Sequence, residues 1–194
     1  MNKKDVIAYF DKFAPKWDED LIANDSIINK ILDGAKVKKG HKVLDVACGT
    51  GVMIPYYKNR SIIDITAIDI SSEMAKICQN KFPDIKVICG DVEETPLNVR
   101  FDNIVIYNAF PHFPNPENLI KTLSNYLNID GTLTVAHGMS KASLDKHHEG
   151  SASKVSIKLL EIDELEKIFE PYFKTLVKIS DDNMYQLTGI LKEK

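Results

Sequence analysis

Apolar residues change their spacing several times along the chain, and each change marks an element. Ile7, Phe10 and Phe13 recur at helical intervals over 5–13, and Pro15 stops the run. A second helix is expected over 27–35, capped by Ser26 and ended near Gly40. Short apolar runs of strand character then alternate with helical stretches. Strands are predicted at 42–46, 64–70, 85–89, 102–107 and 132–137, with helices at 52–58, 72–82 and 116–127. Alternation of this kind implies right-handed βαβ units and a parallel sheet covered on both faces. The end of the chain breaks the pattern. A helix at 162–169 precedes two strand-like runs, 173–180 and 185–191, joined by Asp181-Asp182-Asn183. That hairpin would set one antiparallel strand into the sheet.

The whole of 1–194 reads as one domain, with 1–40 a helical cover at its N-terminal end. The segment 137–160 is too long for a simple connection, and such segments are usually lids or binding loops. Composition adds exclusions. A net charge of −3, without a run of five like charges, argues against nucleic acid as a partner. Polar residues interrupt each apolar stretch before the ~18 residues that span a bilayer, so no integral membrane segment is expected. Cys48, Cys78 and Cys89 form no Cys-x-x-Cys pair and read as reduced thiols of a cytoplasmic protein, monomer or homodimer.

Candidate chemistry begins where the first strand meets its helix. Val43-Leu44-Asp45-Val46 ends that strand, and Ala47-Cys48-Gly49-Thr50-Gly51 turns into the apolar helix start Val52-Met53-Ile54. Glycine lets the backbone pass close to a ligand, and such switch points are where open α/β sheets bind nucleotides. Acidic residues recur at the ends of successive strands: Asp45, then Asp69, then Asp91 in Gly90-Asp91-Val92. A carboxylate at the second strand end suits ribose hydroxyls, and Ile70 and Val92 offer apolar faces to a purine. A dinucleotide fingerprint would need a third glycine three residues after Gly51, where Ile54 stands.

With these motifs the chain resembles the class I S-adenosylmethionine-dependent methyltransferases. The segment Phe10-Asp11-Lys12-Phe13-Ala14-Pro15-Lys16-Trp17-Asp18 is similar to the start of their ubiquinone/menaquinone C-methyltransferase-like branch. The resemblance implies a doubly wound, Rossmann-like α/β fold of seven strands with the last antiparallel. It implies S-adenosyl-L-methionine as methyl donor and a small-molecule acceptor. Asp45, Ala47, Cys48, Gly49 and Gly51 would meet the methionine end and Asp69 the ribose, while Ile70, Asp91 and Val92 take the adenine. Ala47 stands where many members carry glycine. Asn108, closing the fourth strand, is expected beside donor or substrate. A donor-binding sensor or accessory subunit without catalysis would need the same donor residues.

Four of the five histidines fall in segments expected over the acceptor: His112, His137, His147 and His148. His41, before the first strand, reads as a surface residue. Three readings stay open for His112, His137 and His148. One serves as a general base, since an ordinary histidine pKa near 6.5 suits proton removal at neutral pH. Alternatively the three hold a divalent metal with one position open. In the bland alternative they make only local hydrogen bonds. Glu93 and Glu94 read as a solvated turn.

Overall fold

The computed structural model describes residues 1–19, 21–148 and 151–193, without the side chains of 147, 148, 151 and 152. Seven strands form one sheet: β1 Lys42–Val46, β2 Asp64–Asp69, β3 Lys86–Cys89, β4 Phe101–Tyr107, β5 Leu127–His137, β6 Phe173–Ser180 and β7 Tyr185–Leu191. Their spatial order is β3-β2-β1-β4-β5-β7-β6. β1 to β5 run parallel, and β7 runs antiparallel to both of its neighbours. The expected doubly wound α/β fold is therefore the observed one. Order reverses between β1 and β4, and the crevice above that reversal is where such sheets bind ligands.

Two apolar cores sandwich the sheet, as the near-continuous hydrophobic runs of β1, β2 and β4 demand. On one face α2 (Asp25–Gly34), α3 (Ile54–Asn59) and α4 (Ser72–Lys81) bury Ile31, Leu32, Tyr57 and Cys78. On the other, α5 (Pro116–Ser124) and α7 (Ile162–Phe169) bury Leu119, Leu123, Leu165 and Phe169. Two helix starts differ from expectation because asparagine caps sit upstream of the apolar pattern. Asn2 accepts the N–H of Lys4 and begins α1 at Lys3–Phe13. Asn24 accepts the N–H of Ile27, which draws Ser26 inside α2. β5 starts five residues early, since Leu127 already pairs with Phe101.

The 137–160 segment folds as α6 (Lys141–His148) and a 3-10 turn at Ser151–Lys154. Leu144, Val155 and Leu159 bury it against the body, and the Ile157 N–H donates to the Pro111 carbonyl at 2.8 Å. It is docked on the loop that follows β4.

His41 is not the plain surface residue expected. Its Nδ1 lies 2.7 Å from Oδ1 of the buried Asn103, whose Nδ2 donates to the Ala35 carbonyl at 2.9 Å and to Thr132 Oγ1 at 2.8 Å. Asn103 thus joins the end of α2 to β4 and β5 at the foot of the sheet, far from the strand ends. Replacing Asn103 with Leu should cost about 1–3 kcal/mol in urea unfolding, because His41 Nδ1 loses this partner and Thr132 keeps only its bond to the Ala35 carbonyl. Ligand binding at the opposite end of the sheet should be unchanged in the same variant.

Candidate functional site

A cavity of about 300 Å³ opens above the C-terminal ends of the central strands. Its floor is the set of loops after β1, β2, β3 and β4. Its roof is the N-terminal segment, through Lys3, Val6, Tyr9, Phe10 and Trp17. Met139 and Leu144, from the segment after β5, close one side.

The turn after β1 has the shape its glycines suggest, with one exception. Ala47, Gly49 and Gly51 all take positive φ, at 53°, 54° and 92°. At Gly51 a Cβ would also fall 2.7 Å from the Phe82 ring and 2.9 Å from Cys78 Sγ, so glycine is needed for packing as well as for φ. Gly49 faces open space; the nearest neighbour to an added Cβ is Trp17 Nε1 at 4.0 Å. Ala47 is strained there, which its short side chain tolerates. Cys48 lines the floor, and hydrogen bonding with Cys78, together with burial, raises its thiol pKa.

Asp69 joins this turn to the next. Its Oδ2 accepts the Gly49 N–H at 2.8 Å and its Oδ1 accepts the Ser71 N–H at 2.8 Å. Burial pushes its pKa up to about 6, against the pull of these two backbone bonds. Ser71 in turn caps α4 and donates its hydroxyl to Asp11 of α1 at 2.5 Å. Asp91 sits at the end of β3, with Oδ1 accepting the Glu93 N–H at 2.9 Å and Oδ2 bonded to the Lys3 ammonium. Lys3 also meets Glu93 at 3.3 Å and Glu94 at 3.2 Å. Burial works to lower the Lys3 pKa, but its bonds to Asp91 and Glu94 prevail and hold it above the ordinary lysine value.

The roof is thus fastened to three successive loops. Lys3 holds the loop after β3, Asp11 the start of α4 after β2, and Asp18 the turn after β1, where Thr50 Oγ1 donates to it at 2.6 Å. Lys3, Asp11 and Asp18 carry no motif that marks them, because their partners lie 88, 60 and 32 residues away. Glu93 corrects an expectation. Its side chain is 4% exposed rather than solvated, and it lines the cavity while accepting from Asn118 Nδ2 at 2.6 Å.

The expected donor residues separate into two groups. Ala47, Cys48, Gly49, Asp69, Ile70, Asp91, Val92 and Asn108 all reach the cavity wall. Asp45 and Gly51 do not. Asp45 is fully buried behind the turn, with Tyr57 OH at 3.5 Å from Oδ1 and no hydrogen-bond partner for Oδ2 among the described residues. Burial, then the Asp69 charge, raises its pKa to about 8. Near neutral pH it is a protonated group of the core. Asn108 takes φ 54° and accepts the Gly138 N–H at 2.9 Å, tying the ends of β4 and β5.

His112 and His137 are not brought together. His112 lines the cavity, with Phe10 edge-on at 4.8 Å between ring centroids. Its Nδ1 lies 2.8 Å from the Val155 carbonyl. A carbonyl only accepts, so Nδ1 carries the hydrogen and the neutral ring keeps its lone pair on Nε2. His137 is buried outside the cavity wall, in register with Tyr185 of β7 and 6.0 Å from its ring. The side chain of His148 lies outside the described residues. Among those described, no three His, Cys, Asp or Glu side chains are placed to hold a metal ion.

Comparison with known proteins agrees with this geometry. Residues 44–135 match the sequence family described as a methyltransferase domain. Over 141 residues the chain is 30% identical to a demethylmenaquinone methyltransferase of Renibacterium salmoninarum, covering 68% of this chain and 58% of that protein. Over 142 residues it is 28% identical to an (S)-coclaurine N-methyltransferase of Thalictrum flavum subsp. glaucum, covering 70% of this chain and 38% of that one. The chain therefore spans well under two thirds of the length of either relative. A solved magnesium protoporphyrin IX methyltransferase of Synechocystis, with bound S-adenosylhomocysteine, superposes with a TM-score of 0.72 at 16% identity, over 98% of this chain and 100% of that one. The fold is that of the Rossmann-like α/β domains. The chain is similar to the class I S-adenosylmethionine-dependent methyltransferases, with relatives of the menaquinone/ubiquinone-like branch among its matches.

The state of Asp45 has a measurable sign. Its folded pKa lies above the unfolded value, so it favours folding at low pH and that contribution fades as pH rises through about 8. Asp45→Asn should remove this slope, up to about 1.4 kcal/mol per pH unit, from stability measured between roughly pH 5 and 8. An unchanged slope in the variant would mean that Asp45 is ionised and partnered in the folded protein.

Proposed function

We propose that this chain transfers a methyl group from S-adenosylmethionine to a small-molecule acceptor. The observation that carries the reading is Asp69. It lies in the cavity wall with each oxygen holding one backbone N–H, so each keeps a lone pair for a ribose hydroxyl. The surroundings fit the rest of that ligand. Ile70 and Val92 flank the space beyond Asp69, and Asp91 has acceptor capacity left beside its bonds to Lys3 and Glu93. Gly49 leaves its approach open.

The bound donor supplies an electrophilic carbon on a positively charged sulfur. The protein's share is alignment, exclusion of water and management of charge. Asp69, Asp91 and Glu93 make the donor half of the cavity acidic, which favours a cationic ligand over its neutral product and so promotes exchange after transfer. Tyr9, Phe10 and Trp17 cover the cavity from the roof and keep water from it. His112, with its lone pair on Nε2, is the group suited to take a proton from the acceptor. His137 is too deeply set for that role, and the fastened 1–40 and 137–160 segments are the natural lids.

Calorimetry with S-adenosylhomocysteine tests the donor assignment. Asp69→Ala should weaken binding about 100-fold or more, the value of two hydrogen bonds to a charged group at about 1.5–3 kcal/mol each. Affinity in the parent protein should fall as pH drops below about 6, where the raised Asp69 carboxyl protonates. Absence of binding, or indifference to Asp69→Ala, would overturn the reading. With the acceptor in hand, His112→Gln should lower kcat about 10²- to 10⁴-fold while donor affinity stays the same.

A further inference from the structure

We infer that the acceptor is an uncharged, apolar molecule carrying one weakly acidic O–H or S–H, and that carboxylate- or phosphate-bearing compounds are refused. This rests on the methyl-transfer reading above and adds the chemistry of the other substrate. The cavity is divided by charge. Its carboxylates, Asp69, Asp91 and Glu93, all stand on the side of β2 and β3. The side of β4 and β5 is walled by Tyr107, Phe113, Met139 and Leu144, under Tyr9 and Phe10 of the roof. Among the described residues of the wall, Lys3 is the one lysine or arginine, and it is spent on Asp91, Glu93 and Glu94 at the acidic end.

Among the described residues of the apolar side an acceptor anion would meet no lysine or arginine, and the carboxylates that balance the donor's positive sulfur would face it across the cavity. Burying a charge unpaired is costly. A protonated alkyl amine is disfavoured for another reason. At an ordinary pKa near 10.4 its lone pair is already taken, and a histidine base is poorly matched to free it. A thiol or phenol avoids both problems. It is neutral on binding, and its single proton lies within the range that a histidine relieves as bonding develops. As the new bond to carbon forms, the proton passes to His112 Nε2 and the electron pair of the broken carbon–sulfur bond stays on the donor sulfur. Charge is conserved: one cation is consumed and one imidazolium appears.

The test pairs acceptors of one shape that differ in charge: phenylmethanethiol with 4-(mercaptomethyl)benzoate, and 2-naphthol with 6-hydroxy-2-naphthoate. Two readouts are used. One is methylated product by mass spectrometry with S-adenosylmethionine. The other is quenching of Trp17, the only tryptophan, on adding each compound to protein already saturated with S-adenosylhomocysteine. The neutral member of each pair should be preferred about 30-fold in both, the penalty expected for one uncompensated charge after partial relaxation. Met139→Lys, which supplies a cation to the apolar side, should narrow or reverse that preference, read as the ratio within each pair. Equal or better use of the carboxylates by the parent protein overturns the inference. So does a failure of the neutral compounds to bind or react while S-adenosylhomocysteine binds normally. Should the homologue itself fail to bind, the donor reading falls instead.

Discussion

One carboxylate, Asp69, sets the geometry of the entire strand-end face. By accepting from Gly49 and from Ser71 it fixes the turn after β1 against the start of α4, and Ser71 passes the constraint on to Asp11 in the roof. Loops at the ends of parallel strands have no ladder to order them, so they need such cross-links to hold a ligand-ready shape. The cost is a buried charge, visible in the upward shift of the Asp69 pKa. Two backbone N–H groups hold that shift well below what burial gives Asp45, which lacks them.

The same contrast explains why two acids one strand apart behave so differently. Asp69 closes β2 and Asp45 stands one residue before the end of β1, and both are almost wholly inaccessible. Asp69 meets main-chain donors and lies against the cavity, so it serves as an anion. Asp45 meets Tyr57 at the edge of hydrogen-bond range and is surrounded by core, so it is retained as a neutral acid. Position in sequence does not distinguish them; hydrogen-bond supply does. Gly51 belongs with Asp45 as part of the turn's internal packing, against Phe82 and Cys78, rather than as a ligand contact.

Legibility followed the range of the interactions. Strand–turn–helix order, the hairpin and the strand-end acids depend on neighbours in sequence, and each could be read from periodicity and turn chemistry. Helix starts were misplaced because asparagine caps act through a single side-chain bond that leaves the apolar pattern unchanged. Contacts made across the fold left no local trace. Glu93 reads as a solvated charge because its pairing with Lys3 needs α1 laid over the end of β3. His41 read as a surface residue because its partner Asn103 is 62 positions away. The expected convergence of His112 and His137 assumed that both strand ends face the cavity, whereas His137 is committed to the β5–β7 pairing and the core behind it.

The roof is fastened by ions and lined by hydrocarbons, and these respond to different surroundings. Lys3 is about a third exposed and grips the solvated Glu94 as well as the covered Asp91 and Glu93, and Asp18 with Lys81 is likewise partly in water. Dissolved salt weakens bonds of that kind within a Debye length of about 8 Å at physiological strength. The aromatic underside is indifferent to salt. Ionic strength therefore bears on how firmly the roof is fastened, while what the chamber accepts is, on the reading proposed above, set by shape and by the lack of a free lysine or arginine among its described walls. Residence time and selectivity are thereby separable in this molecule, the first adjustable by the medium and the second only by changing side chains.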